Sequence, residues 1–379
     1  MKIKQLKFNN TTDFINGIAK FRPDAFDLHF IFADKLYFED SESKKILKLV
    51  FANATIMGCS TAGEIDSQTV SEGSIVITSI KFKNIKIIKK SYIINDSSHS
   101  KSAGQYLAKE LLFTGLKHIF VLSDGINVNG TRLTEGINEM IGENINVSGG
   151  LAGDNGLFVK TYVADDNNNF VSNCISAIGF YEEDIITSTA AYGGWSSFGI
   201  ERSITKSIEN KVYEIDDKPA LKLYKSYLGN LANYLPQSAL FFPLELKERK
   251  DSNPLVRTVL GVNKKENTLT FAGNIPEGSK VKLMKTNFSH VINGAERAAE
   301  LLSNQMHLIE LIIVISCVGR KMVLKQLTQD EIDAIKNTIK NKLYITGFYS
   351  YGEISKKPGS SFCELHNQTM TLTGFKETI

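Results

Sequence analysis

The sequence predicts an α/β (α+β) chain: two related domains in which mixed or antiparallel sheets are layered against helices. Three observations carry that expectation. Segments with apolar residues at helical spacing alternate with short β-rich runs along the whole length. Several strand-to-strand connections are of hairpin length, which a purely parallel sheet does not allow. A glycine-bounded string also recurs after a short strand. It reads MGCSTAGEI at Met57–Ile65 and ITGFYSYGEIS at Ile345–Ser355, with a degenerate copy, SGGLAGDN, at Ser148–Asn155.

The elements follow in order. Asp27–Asp34 reads as a strand, and Ser41–Ala54 as a helix behind a serine cap, leading to Ile56 and Met57 at the end of a short strand. Ser74–Phe82 and Ile85–Ile94 alternate like two arms of a sheet joined at Lys83–Asn84. Ser102–Gly115 is a helix closed by glycine. A second round runs from the strand His118–Gly125 through the helix Thr131–Gly142 to NVSGG, then to the strands KTYVAD and NCISAIGFY, ending at Tyr181. Tyr192–Gly199, YGGWSSFG, is a packed loop around the single tryptophan. The pattern restarts near residue 210, which divides the chain into domains 1–209 and 210–379. Asp216–Asp217 is a turn and Pro219 opens a helix through Leu228. Leu255–Met284 alternates through three antiparallel strands with turns at Lys264–Asn267 and Asn274–Gly278. Val291–Asn304 is a helix, Leu311–Arg320 a buried strand running into a polar turn, and Gln329–Ile339 an acidic-capped helix. The third string, a polar turn at Lys356–Ser361 and a strand through HNQTMTLTG close the chain.

Composition bounds the function. With 42% hydrophobic and 22% charged residues, no stretch demands disorder. Lys plus Arg total 44 against 41 Asp plus Glu, so extensive phosphate-backbone binding is not supported. The 4 cysteines form no CxxC pair and suggest neither a disulfide framework nor a zinc site. No apolar run reaches the roughly 18 residues of a membrane span. A cytoplasmic protein with reduced thiols is the expectation.

The strings carry the candidate chemistry. Paired glycines permit close backbone approach, and the residues between them present hydroxyls and amides. None is a nucleotide loop: GxxxxG lacks the Lys-Ser or Lys-Thr of a P-loop. We therefore expect a ligand pocket in the second domain. Arg320 would pair a carboxylate, with Cys317 beside it. Tyr349, Ser350 and Tyr351 would form the wall, and Glu353 would hold an amine or its own loop. His366 and Asn367 would enter from a neighbouring strand, in whose regular alternation they face opposite sides. Ser60, Thr61, Glu64 and Asp124 make a parallel, secondary set in the first domain. No catalysis is expected, and no metal. A hydrolase would need Cys317 and His366 to meet, and a ligand-free scaffold would show packed turns and no polar pocket.

GCSTAGEI, LSDG, GGLAGD and YGGW in the first part, with VYEIDDKPALKLYKSYLG, LVRTVLGV, AGNIPEGSKVKLM, SCVGR, GFYSYGEI and LHNQTMTL in the second, resemble the FIST family of bacterial sensory proteins. The resemblance extends from roughly Asp24 to the terminus and includes both the amino-terminal and the carboxy-terminal FIST domain. It implies an intracellular module that binds a small molecule, such as an amino acid. It further implies a signal passed to a separate partner: a histidine kinase, a cyclic-di-nucleotide enzyme or a chemotaxis receptor. Some relatives bind haem and sense nitric oxide. For a haem here, His366 is the candidate axial ligand.

Overall fold

The computed structural model describes residues 1–248, 254–341, 343–356 and 360–378. One supersecondary unit occurs three times. The first comprises β1 (Lys2–Phe8), α1 (Thr11–Ile18), β2 (Leu28–Ala33), the single turn α2 (Leu36–Glu39), α3 (Ser41–Val50), β3 (Ile56–Ser60), the hairpin β4 (Glu64–Ile65) and β5 (Val70–Ser71), and β6 (Ile75–Lys81). The second repeats it as β7 (Lys86–Ile93), α4 (Ser100–Leu111), β8 (Leu116–Ser123), α5 (Gly130–Asn138), β9 (Asn146–Leu151), the hairpin β10 (Val163–Ala164) and β11 (Phe170–Val171), and β12 (Cys174–Tyr181). The third begins with β13 (Ile185–Tyr192) and is then interrupted.

The interruption is a layer of its own. It contains β14 (Ser196–Ile208), β15 (Lys211–Ile215), β16 (Lys218–Pro219), α6 (Ala220–Leu228), β17 (Leu244–Lys247), β18 (Leu255–Arg257), β19 (Val259–Asn263), β20 (Thr268–Phe271) and β21 (Lys280–Lys285). Its eight strands form one sheet over a separate core that includes Val212, Leu221, Tyr224, Leu244 and Phe271. The third unit then resumes with α7 (Phe288–Gln305), β22 (Leu311–Cys317), α8 (Val318–Leu324), α9 (Thr328–Thr338), β23 (Tyr344–Ser350), the hairpin β24 (Gly352–Lys356) and β25 (Cys363–His366), and β26 (Met370–Glu377).

The three units are interlocked. Their sheets have the same order: β1-β6-β2-β3, β7-β12-β8-β9 and β13-β26-β22-β23. In each, one pair is parallel (β2 with β3, β8 with β9, β22 with β23) and the others are antiparallel. The hairpin of each unit leaves its own sheet and joins another: β10–β11 extends the first, β24–β25 the second and β4–β5 the third. At the crossing points, Gly153 N–H donates to Ser60 at 2.9 Å, Ala62 N–H to Tyr349 at 2.8 Å and Tyr351 N–H to Leu151 at 3.1 Å, closing a cycle. Gly149 and Gly347 lie where a Cβ would stand 1.9 and 1.8 Å from the neighbouring strand's carbonyl oxygen, so only glycine lets these strands pair so closely. That is why the strings recur.

Burial explains the rest. β2 and β22 read as continuous apolar runs because both sheet faces are covered. Their outer faces carry the helices. The inner faces meet in an aromatic core where Phe30 packs on Phe120, Phe32 on Phe348 and Phe180 on Phe375, with ring centroids 5.4, 4.8 and 5.2 Å apart, one pair for each pair of units.

The mixed sheets layered on helices are as the sequence predicts. Three details differ. β1 and α1 carry no expectation from the sequence, since MKIKQLKF is a half-buried edge strand with a weak pattern. α3 is capped by Asp40, whose carboxylate accepts from Ser43 N–H at 2.7 Å, rather than by a serine. The strand expected through HNQTMTLTG is two strands: β25 ends at His366, Gln368 has φ +60°, and β26 starts at Met370, so face alternation does not relate His366 to Asn367. Glu209 and Asn210, at the expected domain boundary, form the turn between β14 and β15, while ladders such as β13–β26 and β24–β9 join residues from its two sides. The polar turn expected at Lys356–Ser361 lies largely outside the described residues. Among the described residues, no helix is long and apolar enough to cross a membrane.

Candidate ligand cleft

The carboxyl ends of β8, β9, β22 and β23 face the inserted layer across a cleft, as expected for ligand crevices in α/β sheets. Two adjoining cavities occupy it. One, of about 420 Å³, lies against the start of α5 and the turn after β20. The other, of about 210 Å³, lies against the start of α8 and the link from β18 to β19. Phe158, Leu260, Ala272 and Tyr351 line both.

Tyr351 and Phe158 form the floor. Their rings stack at 4.1 Å and 17°. Phe158 sits in the β9–β10 loop with φ +55°, a left-handed conformation that a side chain disfavours. Asp154 holds it there, accepting from the amides of Phe158, Val159 and Lys160 at 2.8, 2.9 and 3.0 Å. The Tyr351 hydroxyl donates to the same carboxylate and accepts from Gly156 N–H at 2.9 Å. Burial pushes Asp154 upward, but these donors prevail and hold its carboxyl below the usual range. The inserted layer is fixed over the cleft by Arg257, which donates to the carbonyls of Asn274 and Leu365 at 3.1 and 3.0 Å, and by Asn129, whose amide donates to Asn274 Oδ1 at 2.9 Å.

Of the residues expected around one pocket, the fold brings Cys317, Tyr351 and Asn367 to the cleft. The others are placed elsewhere. Arg320, fully buried, binds Glu331 through Nε at 2.9 Å, donates to the carbonyls of Gly193 and Val291 at 2.9 and 2.7 Å, and covers the Trp195 ring. Its fork is occupied inside the protein, so it is not the carboxylate receptor that the sequence suggests. Tyr349 donates to Glu331 at 3.2 Å, as does Ser316 at 3.1 Å. His366 Nε2 meets the Ser355 carbonyl at 2.9 Å.

Ser350 and Glu353 buttress their own corner: the serine donates to the carboxylate at 2.8 Å, and Thr369 donates its hydroxyl at 2.9 Å. Thr61 and Glu64 repeat this arrangement, with Ser74 in place of Thr369 at 2.7 Å. Burial pushes both glutamates up to about 7 despite these bonds. Ser60 accepts from Tyr162 N–H at 2.9 Å, and Asp124 caps Ile126 and Asn127 at 2.9 and 2.7 Å while accepting from Thr161 at 2.9 Å. The secondary set therefore shapes backbone.

Three cleft residues escape a reading of the sequence. Asp154 lies within the degenerate string and Phe158 just after it, in GDNGLF, where an Asp before a glycine-containing turn is a signal for amide capping. Thr258 lies within LVRTVLGV but has no local pattern of its own. Among the described residues, no group of three or more His, Cys, Asp or Glu is arranged to hold a metal ion. The Cys317 thiol is raised far above its ordinary value by burial, so it is protonated at neutral pH.

The FIST N domain family matches residues 27–218, and the FIST C domain family matches residues 220–356. An uncharacterized protein of Methanocaldococcus jannaschii is 28% identical over 230 residues, which make up 55% of this chain and 41% of that protein. The match therefore spans less than half the length of that relative. Among solved structures, the crystal structure of "cyanuic acid hydrolase from A. caulinodans" aligns over 100% of this chain and 99% of that chain. Its identity is 7% and its TM-score 0.37, a likeness too weak to bear on this chain's activity.

Proposed function

Since the chain belongs to the FIST family, whose domains are sensory domains of signal-transduction proteins, we propose that it binds a small metabolite in the cleft around Tyr351 and Phe158 and signals to a separate protein. The observation that carries this is the paired cavity floored by a strained aromatic loop at the junction of the inserted layer with the three-unit body. A ligand there touches the Phe158 loop and both sides of the junction together. It can shift their equilibrium to the extent that it prefers one arrangement. The partner is a signalling protein of the kind that accompanies such domains, a histidine kinase, a cyclic-di-nucleotide enzyme or a chemotaxis receptor, and the setting is cytoplasmic.

Binding without transformation is favoured over hydrolysis because burial keeps the Cys317 thiol protonated and His366 is engaged with Ser355. The same bond weighs against His366 as an axial haem ligand. An amino acid is disfavoured as the ligand because Arg320 is committed to Glu331. Native mass spectrometry of gently purified protein should show a bound small molecule, and a thermal-shift screen should find compounds that raise the melting temperature. Leu260, 42% exposed and lining both cavities, is the place to block them. Leu260→Trp should abolish ligand-induced stabilisation while leaving apo stability within about 0.5 kcal/mol. Full retention of ligand stabilisation in that variant would move the site out of the cleft.

A further inference from the structure

The two cavities of the cleft differ in charge. Among the described residues, no Lys, Arg, His, Asp or Glu lines the smaller one, where apolar side chains such as Leu240 and Met322 meet the uncharged polar groups of Gln237, Thr258 and Asn367. The larger cavity, of about 420 Å³, is lined by one charged side chain among the described residues. That residue is Glu209, in the turn between β14 and β15, and its neighbour Asn210 lines the same wall.

The free side-chain atoms of this wall are acceptors. Glu209 is exposed, and its carboxylate makes no hydrogen bond or ion pair with a described residue. Asn210 donates through Nδ2 to the Phe271 carbonyl at 2.9 Å, which leaves its half-buried Oδ1 to accept. The side-chain donors of the cavity are already committed: Asn129 Nδ2 donates to Asn274 Oδ1 at 2.9 Å and the Tyr351 hydroxyl donates to Asp154. Only the Ser97 hydroxyl, among the lining side chains, serves in either sense. Arg257 lies beside Gly273 but is 1% exposed and gives its guanidinium to the carbonyls of Asn274, Val256 and Leu365 at 3.1, 3.2 and 3.0 Å. Glu248 and Glu364 are near enough to offset its charge.

The turn sets Glu209 apart from an ordinary solvated glutamate. Ile208 pairs with Lys211, so Glu209 and Asn210 form a two-residue hairpin loop, and Glu209 has φ +51°. That left-handed position favours glycine, asparagine or aspartate, and strain of this kind gathers at binding sites. Two bonds fix the turn against the cleft wall. Ile275 N–H donates to the Glu209 carbonyl and Phe271 N–H to the Asn210 carbonyl, each at 2.9 Å.

We infer that the cleft takes a cationic amine with an apolar body and no carboxylate, an arylalkylamine by chemical class. This rests on the reading of the cleft as the sensory site. The ammonium lies in the larger cavity and donates to Glu209 and to Asn210 Oδ1. The body lies on Phe158, which is 43% exposed, and runs along Leu260 towards the smaller, uncharged cavity. A carboxylate on the ligand would face Glu209 with no lining cation among the described residues to compensate it.

Three probes share one carbon skeleton and differ in the head group: 4-phenylbutylamine (cation), 4-phenylbutan-1-ol (neutral) and 4-phenylbutyrate (anion). Calorimetric titration of the full chain should show the amine binding about fivefold more tightly than the alcohol, the upper range for an ion pair on a solvent-facing rim, and the butyrate more weakly than either. Glu209→Gln keeps the length of the side chain and removes its charge. It should lower the amine to the affinity of the alcohol, with the melting temperature of the apo protein unchanged. Alcohol or butyrate binding as tightly as the amine would overturn the amine class while leaving the cleft a ligand site. An amine preference that persists in the Glu209→Gln variant would overturn the assigned contact. If none of the probes binds, the inference fails, and the native mass spectrum and the Leu260→Trp variant then report separately on whether the cleft is a site at all.

Discussion

Arg320 shows how a polar residue at a strand end acquires its role from what surrounds it. SCVGR places a guanidinium just beyond β22, where a ligand carboxylate would be a natural partner. The carboxylate it meets is Glu331 of α9, and both side chains are fully buried. Removing one partner strands the other, so Arg320→Ala should cost about 3–5 kcal/mol in urea denaturation. Replacing the pair by Met and Leu should recover much of that loss. Glu353 makes a second prediction. Its carboxyl is raised by burial from 4.5 to about 7, so folding favours the protonated form. That stabilisation is complete below about pH 4.5 and is lost as pH rises towards 7. Glu353→Gln mimics the protonated state at all pH values. Its stability relative to wild type should therefore rise by on the order of 3 kcal/mol between pH 4.5 and 7.5. A flat difference across that window would mean that burial does not raise the Glu353 carboxyl above its unfolded value.

At the level of elements, the β9–β10 loop is the part whose order depends on one side chain. Asp154 caps three successive amides and holds Phe158 in a left-handed conformation against Tyr351. Asp154→Ala should cost about 2 kcal/mol. It should also remove the hydrogen-exchange protection of the amides of residues 158–160 while β9 stays protected. Equal exchange in variant and wild type would show that the aromatic stack alone orders the loop. The sequence marks this element only as a weak copy of the glycine string. The hairpin strings in the other two units keep a hydroxyl and a glutamate that bind each other. In the second unit the matching positions are Ala152 and Asn155, so that pair is missing, and the neighbouring Asp154 carboxylate caps the loop instead.

For the whole molecule, the exchange of hairpins is decisive. Residues 1–218, which run to the end of the FIST N domain match at 27–218, lack the sheet that receives β4–β5 and lack the β24–β25 hairpin that completes the second sheet. That fragment should show no cooperative unfolding transition by calorimetry, whereas the three units of the full chain should melt together. A fragment with a sharp transition would show that the units are independently stable. The pH response of the full chain is a sum of opposed terms. His29 and His118 are pushed down to about 4 and about 3 by burial. Their contribution rises with pH as unfolded histidines, at 6.5, cease to bind protons, which offsets the loss from Glu64 and Glu353 in the same window.

Local pattern alone determined the strands, most helices and the places where backbone must approach backbone. Apolar periodicity, caps and glycines act between residues close in sequence, so the mixed α/β character and the three strings are legible in the chain itself. Family resemblance added the sensory class. Tertiary structure decided which side chains share a space. Tyr351, Phe158, Thr258 and Asn367 are up to 209 residues apart (367 − 158). They meet only because a hairpin crosses to another sheet and an inserted layer folds back over the strand ends. The same long-range packing consumed Arg320, Tyr349 and Glu353. A buried polar group takes the partner that encloses it, and nothing within ten residues of Arg320 in the sequence announces Glu331.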